Sequence, residues 1–266
     1  MFVDVHNHIL DYLEYEVKKD DFTFIESRTL YPFSVIFCTS SNEKKRYIKQ
    51  KALCDRLDSN IIPYYSFGIH PQKPEVDELS FLEELLHRKE IDAIGECGFD
   101  LFEEKYRSEV ASQKKVWEEQ LRLAIKYEVP MIVHARNASH IIFSYTKALK
   151  KLKAVIFHGF QGNIKEGNSL LKRGINAYFC IGKALLRGKK SQIELATEFD
   201  ITRLLTETDA PYMSLKEEMF SKPKDIERVV KTFSNWRNIN IDDLKEVIHQ
   251  NFYRIFIKKL PYKNLL

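Results

Sequence analysis

The chain has 266 residues, 44% of them hydrophobic and 30% charged, with 42 Lys and Arg against 38 Asp and Glu for a formal charge of +4. This is the composition of a soluble globular chain with enough residues to bury a substantial core. It excludes a membrane span, because no stretch approaches the roughly 20 apolar residues a bilayer requires, and a charge this small does not by itself mark a dedicated nucleic-acid binder.

Asp4 and His6 interrupt what would be the apolar region of a secretion signal, so a cytoplasmic chain is expected. Cys38, Cys54, Cys97 and Cys180 show no C-x-x-C spacing, and three fall in or beside apolar runs; they read as reduced core thiols. No Gly/Ser/Pro-rich linker, repeat or low-complexity tract divides the chain, which predicts one domain over residues 1–266.

In chain order, the apolar run Phe2–Val5 leads into His6-Asn7-His8, and Val35–Cys38 and Tyr64–Phe67 follow. Helical periodicity over Leu79–His87 precedes the run Ala93–Gly95 and Glu96; a helical segment over Gln113–Tyr127 precedes Pro130–Val133 and His134. Ile141–Leu152 reads as a helix before Ala154–Phe157 and His158, and Ile164–Arg173 as another before Ala177–Ile181. Leu204–Leu205 then runs into Thr206-Glu207-Thr208-Asp209. Eight apolar runs alternating with helices imply parallel strands joined by crossovers. The fold class is therefore α/β, a single (β/α)8 TIM barrel, which needs about 250 residues and builds its site at the C-terminal ends of its strands.

Six metal-competent side chains fall at those ends: His6, His8, Glu96, His134, His158 and Asp209. In His-x-His on a strand, residues i and i+2 point the same way, so two imidazoles can converge on one cation. A lone strand-end histidine is commonly a core residue, but four of the chain's eight at strand ends, with two carboxylates, describe one site. His87, His140 and His249 lie in helical segments and read as structural, and His70 is intermediate. Imidazole with carboxylate favours Zn2+, Mn2+ or a related divalent ion over Ca2+, and Mg2+ is a further candidate. Six ligands exceed one tetrahedral centre. Two ions about 3.5–4 Å apart would use them all, with Glu96 as the bridge, and would clamp the attacking and leaving oxygens of a phosphoryl transfer.

After the seventh run comes Ile181-Gly182-Lys183-Ala184-Leu185-Leu186-Arg187-Gly188-Lys189-Lys190, a basic stretch on the ligand face. Lys183 and Arg187 are candidate phosphate contacts there, with a solvated helix face as the alternative. Lys44-Lys45-Arg46 has similar status, and Lys147–Lys153 reads as the polar side of a helix.

The motifs Val3-Asp4-Val5-His6-Asn7-His8, Gly68-Ile69-His70-Pro71, Ile94-Gly95-Glu96-Cys97-Gly98-Phe99-Asp100, Ile132-Val133-His134-Ala135-Arg136, Phe157-His158-Gly159-Phe160-Gln161-Gly162 and Thr206-Glu207-Thr208-Asp209-Ala210-Pro211-Tyr212 resemble, in order and spacing, the TatD-like metal-dependent nucleases of the amidohydrolase superfamily. Gln113, Trp117, Gln120 and Leu121 resemble that family's helix after strand four, and Asn251–Phe256 its terminal helix. The resemblance implies that His6, His8, Glu96 and Asp209 hold one metal and Glu96, His134 and His158 the second. It implies that Asp209 also takes the proton from the attacking water, and it makes His70 and Arg136 candidates for the phosphate oxygens; Arg suits that role through its planar donor fork.

Three departures stand out. His158-Gly159-Phe160-Gln161-Gly162 replaces a His-Cys-Phe-Ser-Gly-like stretch, and His134-Ala135-Arg136 a His-Ser-Arg. Met213–Lys224 lacks the family's basic and Asn-Glu-Pro segments. The expected activity is hydrolysis of phosphodiesters, DNA first, with 3′-to-5′ exonuclease action as one form. The alternative is hydrolysis of a small ester, lactone or amide with the same activated water. No obligate protein partner and no membrane association are expected.

Overall fold

The computed structural model describes residues 1–17 and 30–256. Its strands are β1 (Phe2–Asn7), β2 (Val35–Ser41), β3 (Ile61–Phe67), β4 (Ala93–Asp100), β5 (Met131–Arg136), β6 (Val155–Phe157), β7 (Ala177–Ile181) and β8 (Leu204–Thr206). They pair in parallel and in sequence order from β1 to β8, with helices on the crossovers, which is the expected (β/α)8 barrel. Every residue of β2, β4 and β7 is buried. Runs apolar on both faces are what a parallel sheet covered outside by helices and filled inside by side chains requires.

The seam between β1 and β8 is closed by hydrogen bonds that also set the first site residues. Thr206 Oγ1 donates to Val3 O at 2.6 Å, and Thr208 donates from both N–H and Oγ1 to the Asp4 carboxylate at 2.8 Å. Asn7 Nδ2 and Tyr31 OH add donors to the same carboxylate at 3.0 and 2.9 Å, so this buried acid ties the barrel shut. Asp209 N–H donates to His6 O at 2.9 Å and His8 N–H to Ala210 O at 2.7 Å, fixing the ends of the first and last strands against each other at the site.

Two differences from the sequence expectation matter. The fourth run does not stop at Gly95: β4 continues to Asp100, and its pairing with β5 slips between Ile94 and Cys97. A bulge of this kind re-aims a side chain within a strand, and here it turns Glu96 into the mouth. Close packing demands glycine around it, since a Cβ on Gly95 would lie 2.7 Å from Ile132 and one on Gly98 only 2.1 Å from His134 O. The segment expected as one helix over Ile141–Leu152 is two short ones, Ser139–Ser144 and Thr146–Leu149, broken at Tyr145. Tyr145 turns inward to meet Trp117 and Phe99, and its hydroxyl donates to Glu118 at 2.8 Å.

The helix Val110–Tyr127 carries two fully buried glutamines that grip strand ends. Gln113 accepts from Asp100 N–H at 3.0 Å and donates to Asp100 O and Tyr106 O. One face along, Gln120 accepts from Ile69 N–H at 2.7 Å and donates back to Ile69 O. Asn251, on the terminal helix Ile241–Phe256, donates to Ile201 O and Leu204 O at 2.8 Å and anchors the start of β8.

Candidate metal centre

The C-terminal ends of the strands surround a polar cavity of about 680 Å³, with Glu96 at its floor. Its two carboxylate oxygens face different partners. Oε2 lies 3.3 Å from both His6 Nε2 and His8 Nε2, and Asp209 Oδ1 lies 3.5 and 3.6 Å from the same two nitrogens. Oε1 lies 2.6 Å from His134 Nδ1, 2.7 Å from His158 Nε2 and 3.3 Å from His70 Nε2. All six residues singled out in the sequence therefore meet here, and His70 joins them. Asp209 adopts a left-handed backbone conformation, φ 55°, which Asp tolerates better than most residues.

Each of four imidazoles has an oxygen on the side away from Glu96, within hydrogen-bond distance for His6 and His134 and at ion-pair distance only for His158 and His8. Ser40 Oγ lies 3.2 Å from His6 Nδ1 and is itself bonded to Ser66 at 2.6 Å. Asp100 Oδ2 lies 3.2 Å from His134 Nε2, Glu207 Oε2 3.8 Å from His158 Nδ1, and Asp11 Oδ2 4.0 Å from His8 Nδ1. A carboxylate on the outer nitrogen, as Asp100 is on His134 Nε2, places the proton there and turns the other nitrogen inward, the arrangement of metal-binding histidines. His6 Nε2 is buried and makes no hydrogen bond, as a ligand atom would be. The donors fit a divalent ion, in the groups His6–His8–Asp209, His6–Glu96–His158 and His70–Glu96–His134.

His70 has the opposite polarity. Gln72 N–H donates to its Nδ1 at 3.2 Å, so in the neutral ring the proton sits on Nε2, the atom aimed at Glu96. It enters the cavity as a donor.

The electrostatics are dominated by burial. Desolvation, with His158 nearby, pushes His6 down to about 3 and keeps it neutral. Burial disfavours a charge on His158 as well, but the Glu96 carboxylate outweighs it and raises this ring to about 10. Asp209 is pushed up to about 6 by burial, with the Glu96 charge adding to the shift. Glu96 stays well below the usual carboxylate range despite its burial, because His158, His70 and His134 crowd it. Two anionic side chains in so confined a place favour positive charge, which a proton on His158 or a divalent cation supplies.

Among the phosphate candidates, Arg136 and Arg187 line the cavity. Arg136 lies over the ring of Phe102, 3.7 Å from its centroid, and Arg187 donates to Ser214 O at 2.6 Å. Lys183 requires correction. It is fully buried and turned outward beneath Met213–Lys224, where its ammonium bridges Glu218 and Asp225, the latter at 2.6 Å; it does not reach the cavity. The sequence reading also passed over Asp100, Glu207 and Ser40. Asp100 and Glu207 sat inside quoted motifs with no stated partner, and Ser40 carried no signal.

Five strand-end imidazoles around a buried carboxylate, in the mouth of an eightfold barrel, define a hydrolase-type centre built for divalent metal. The sequence profile described as TatD related DNase matches residues 3–257, and the chain belongs to that family of metal-dependent hydrolases. An uncharacterized metal-dependent hydrolase of Methanocaldococcus jannaschii is 26% identical over 201 residues, 74% of this chain and 77% of that one. The 3′-5′ ssDNA/RNA exonuclease TatD of Cronobacter sakazakii is 29% identical over 206 residues, 72% and 76% of the two chains. In fold, the crystal structure of YjjV, a TatD homologue from Escherichia coli K12, superposes with a TM-score of 0.79 at 24% identity, covering 96% of this chain and 97% of that one.

Proposed function

We propose that this enzyme hydrolyses phosphodiester bonds of single-stranded nucleic acid, DNA foremost, using two divalent ions to which Glu96 would be a shared ligand. His6, His8 and Asp209 would complete one ion's coordination and His134 and His158 the other's. When bound, such ions lower the pKa of water and neutralise charge on a phosphate. The chain's own groups do the rest. Asp209 accepts the proton of the attacking water, a role open to a carboxylate that faces the same centre as the ligands. His70 donates from Nε2, and Arg136 from its guanidinium, to the non-bridging oxygens. Ser40 and Asp100 hold His6 and His134 in position, and Glu207 fixes the backbone beside His158 by accepting from Gly159 N–H.

The observation that carries this reading is the division of the five rings: His6, His8, His134 and His158 converge with Glu96 and Asp209 on one centre, and His70 aims an Nε2 proton at the same carboxylate. That division suits an anionic oxygen held beside metal. The polar lining of the cavity and the exonuclease activity in the name of the Cronobacter sakazakii relative support nucleic acid over a small neutral ester. A cytoplasmic site of action is supported by four free, buried cysteines, and no described helix is long and apolar enough to cross a membrane. The test is hydrolysis by metal-reconstituted protein of single-stranded DNA, RNA and a panel of small esters. Turnover of esters with none of either strand would overturn the proposal.

A further inference from the structure

With Lys183 withdrawn, the cavity holds few cations free to meet a polyanion, yet the positive charge of the chain is concentrated in one region. Residues 129–193 contain twelve Lys and Arg and one acidic residue, Glu166, whereas the rest of the chain contains thirty basic and thirty-seven acidic residues. The formal +4 therefore joins a sector at +11 to a remainder at −7. That sector is spatially one piece: β5, β6 and β7 with their helices, one side of the barrel.

Its outer wall is organised. The helix Ile164–Lys172 places Lys165, Asn168, Ser169 and Lys172 on one face, and Arg173 continues it, at the i, i+3, i+4, i+7, i+8 spacing of a single stripe. These five residues line an open depression of about 480 Å³. The stripe runs about 12 Å at 1.5 Å per residue. It starts four residues beyond Gln161, which lines the catalytic cavity. At its far end Lys150 reaches Gly174, where a Cβ would stand 3.9 Å from the Lys150 ammonium, and Arg173 lies over Phe143, 5.3 Å from the ring centroid. Lys150, Lys165, Lys172 and Arg173 are all exposed, and among the described residues none forms an ion pair with a carboxylate. Glu166 does not offset them, since its carboxylate accepts from Asn163 N–H at 3.0 Å and caps the start of the helix.

We propose that this stripe is a second binding site, a track for the phosphodiester backbone of a single strand whose end occupies the cavity. The inference rests on the phosphodiesterase reading above. Spaced ammonium and guanidinium groups interleaved with a hydroxyl and an amide engage phosphates without reading sequence. An open groove on the outside of a helix suits an extended chain better than a small anion, which favours enclosure. The track explains how a cavity with two unpaired arginines retains a long polyanion.

The test compares the metal-loaded wild type with the triple variant Lys165→Gln/Lys172→Gln/Arg173→Gln, whose substitutions are all on the surface. Substrates are single strands of about four and about thirty nucleotides, lengths that bracket a cavity-sized site and a longer one. The long strand should bind the wild type more tightly. Its log–log salt slope should flatten by about 2 in the variant, three charges at about 0.7 each, while kcat/KM on the short strand is unchanged. Equal long-strand affinity and slope in the two proteins would overturn the track and leave the hydrolase reading intact. Wild type that cleaves neither length would overturn both. Binding to phosphatidylserine vesicles that the variant loses, with long-strand binding retained, would assign the stripe to a lipid surface and overturn the proposal.

Discussion

Replacing Lys183 with Met should destabilise the protein rather than weaken its grip on substrate. The ammonium is fully buried between Glu218 and Asp225, with Arg228 reaching the same two carboxylates at 2.7 and 3.4 Å. Removing this buried cation leaves Glu218 and Asp225 with only the half-exposed Arg228 to offset them, and breaking a buried pair from one side costs about 3–5 kcal/mol. Glu218 gives an upper bound on the electrostatic share of Lys183, because Leu215 N–H and Arg228 contribute to the same shift. Partial burial raises it, but hydrogen bonds from Lys183, Leu215 N–H and Arg228 outweigh that and hold it at about 2, against 4.5 for a free glutamate. A carboxyl depressed by this much contributes about 3 kcal/mol at neutral pH. That stability is present above pH 4.5 and is lost as pH falls towards 2. Urea denaturation at pH 7 should show the loss directly, and melting should fall by about 10 °C at a few degrees per kcal/mol for a chain of this size. Repeated at pH 3, the gap between wild type and variant should narrow, because protonated Glu218 no longer needs a partner. An unchanged urea midpoint in Lys183→Met, accompanied by a flatter salt dependence of DNA binding, would return Lys183 to the cavity and refute the reasoning.

Asp209→Asn should keep the circular dichroism spectrum and lose about 10²–10⁴-fold in hydrolysis, since the amide keeps the shape without the basicity; activity near wild type removes Asp209 from proton transfer. Asp100→Asn leaves the cavity lining intact but weakens the hold on His134 Nε2, so metal titration should show affinity reduced by about 10–100-fold, and a change confined to thermal stability would make Asp100 merely structural. Gln120→Leu strands the N–H and C=O of Ile69 in a buried place, at about 1–3 kcal/mol; kcat should fall with it as His70 shifts, and a stable protein with unaltered kcat would break that link.

What could be read from the sequence was whatever repeats along the chain. Strand-end positions recur at every βα unit, so His6, His8, His134, His158 and Asp209 declared themselves by following apolar runs. Glu96 was found for a partly different reason from the one the structure gives: it lies inside β4 and reaches the mouth through a bulge whose only local sign is the pair of glycines flanking it. Lys183 and Arg187 look alike in a basic stretch, and residues thirty-five and forty-two positions later, Glu218 and Asp225, decide that one is buried and the other is not. Ser40, Asp100 and Glu207 belong to the same class, since a histidine's partner is chosen by the closed barrel. The break at Tyr145 was hidden because Ile141–Leu152 keeps helical periodicity across it, and only packing against Trp117 separates the halves.

The two buried glutamines give the molecule a brace. Gln113 and Gln120 stand seven residues apart on one straight helix, about 10 Å, and each grips backbone atoms next to a site residue: one at Asp100, behind His134, the other at Ile69, before His70. The two rings, His134 and His70, stand 4.9 Å apart between centroids, and the backbone beside each is held by the same helix rather than by the loops around the cavity. Loops such as Met213–Lys224 are then free to diverge and change what enters, while the backbone behind His134 and His70 keeps its support from the outer helix.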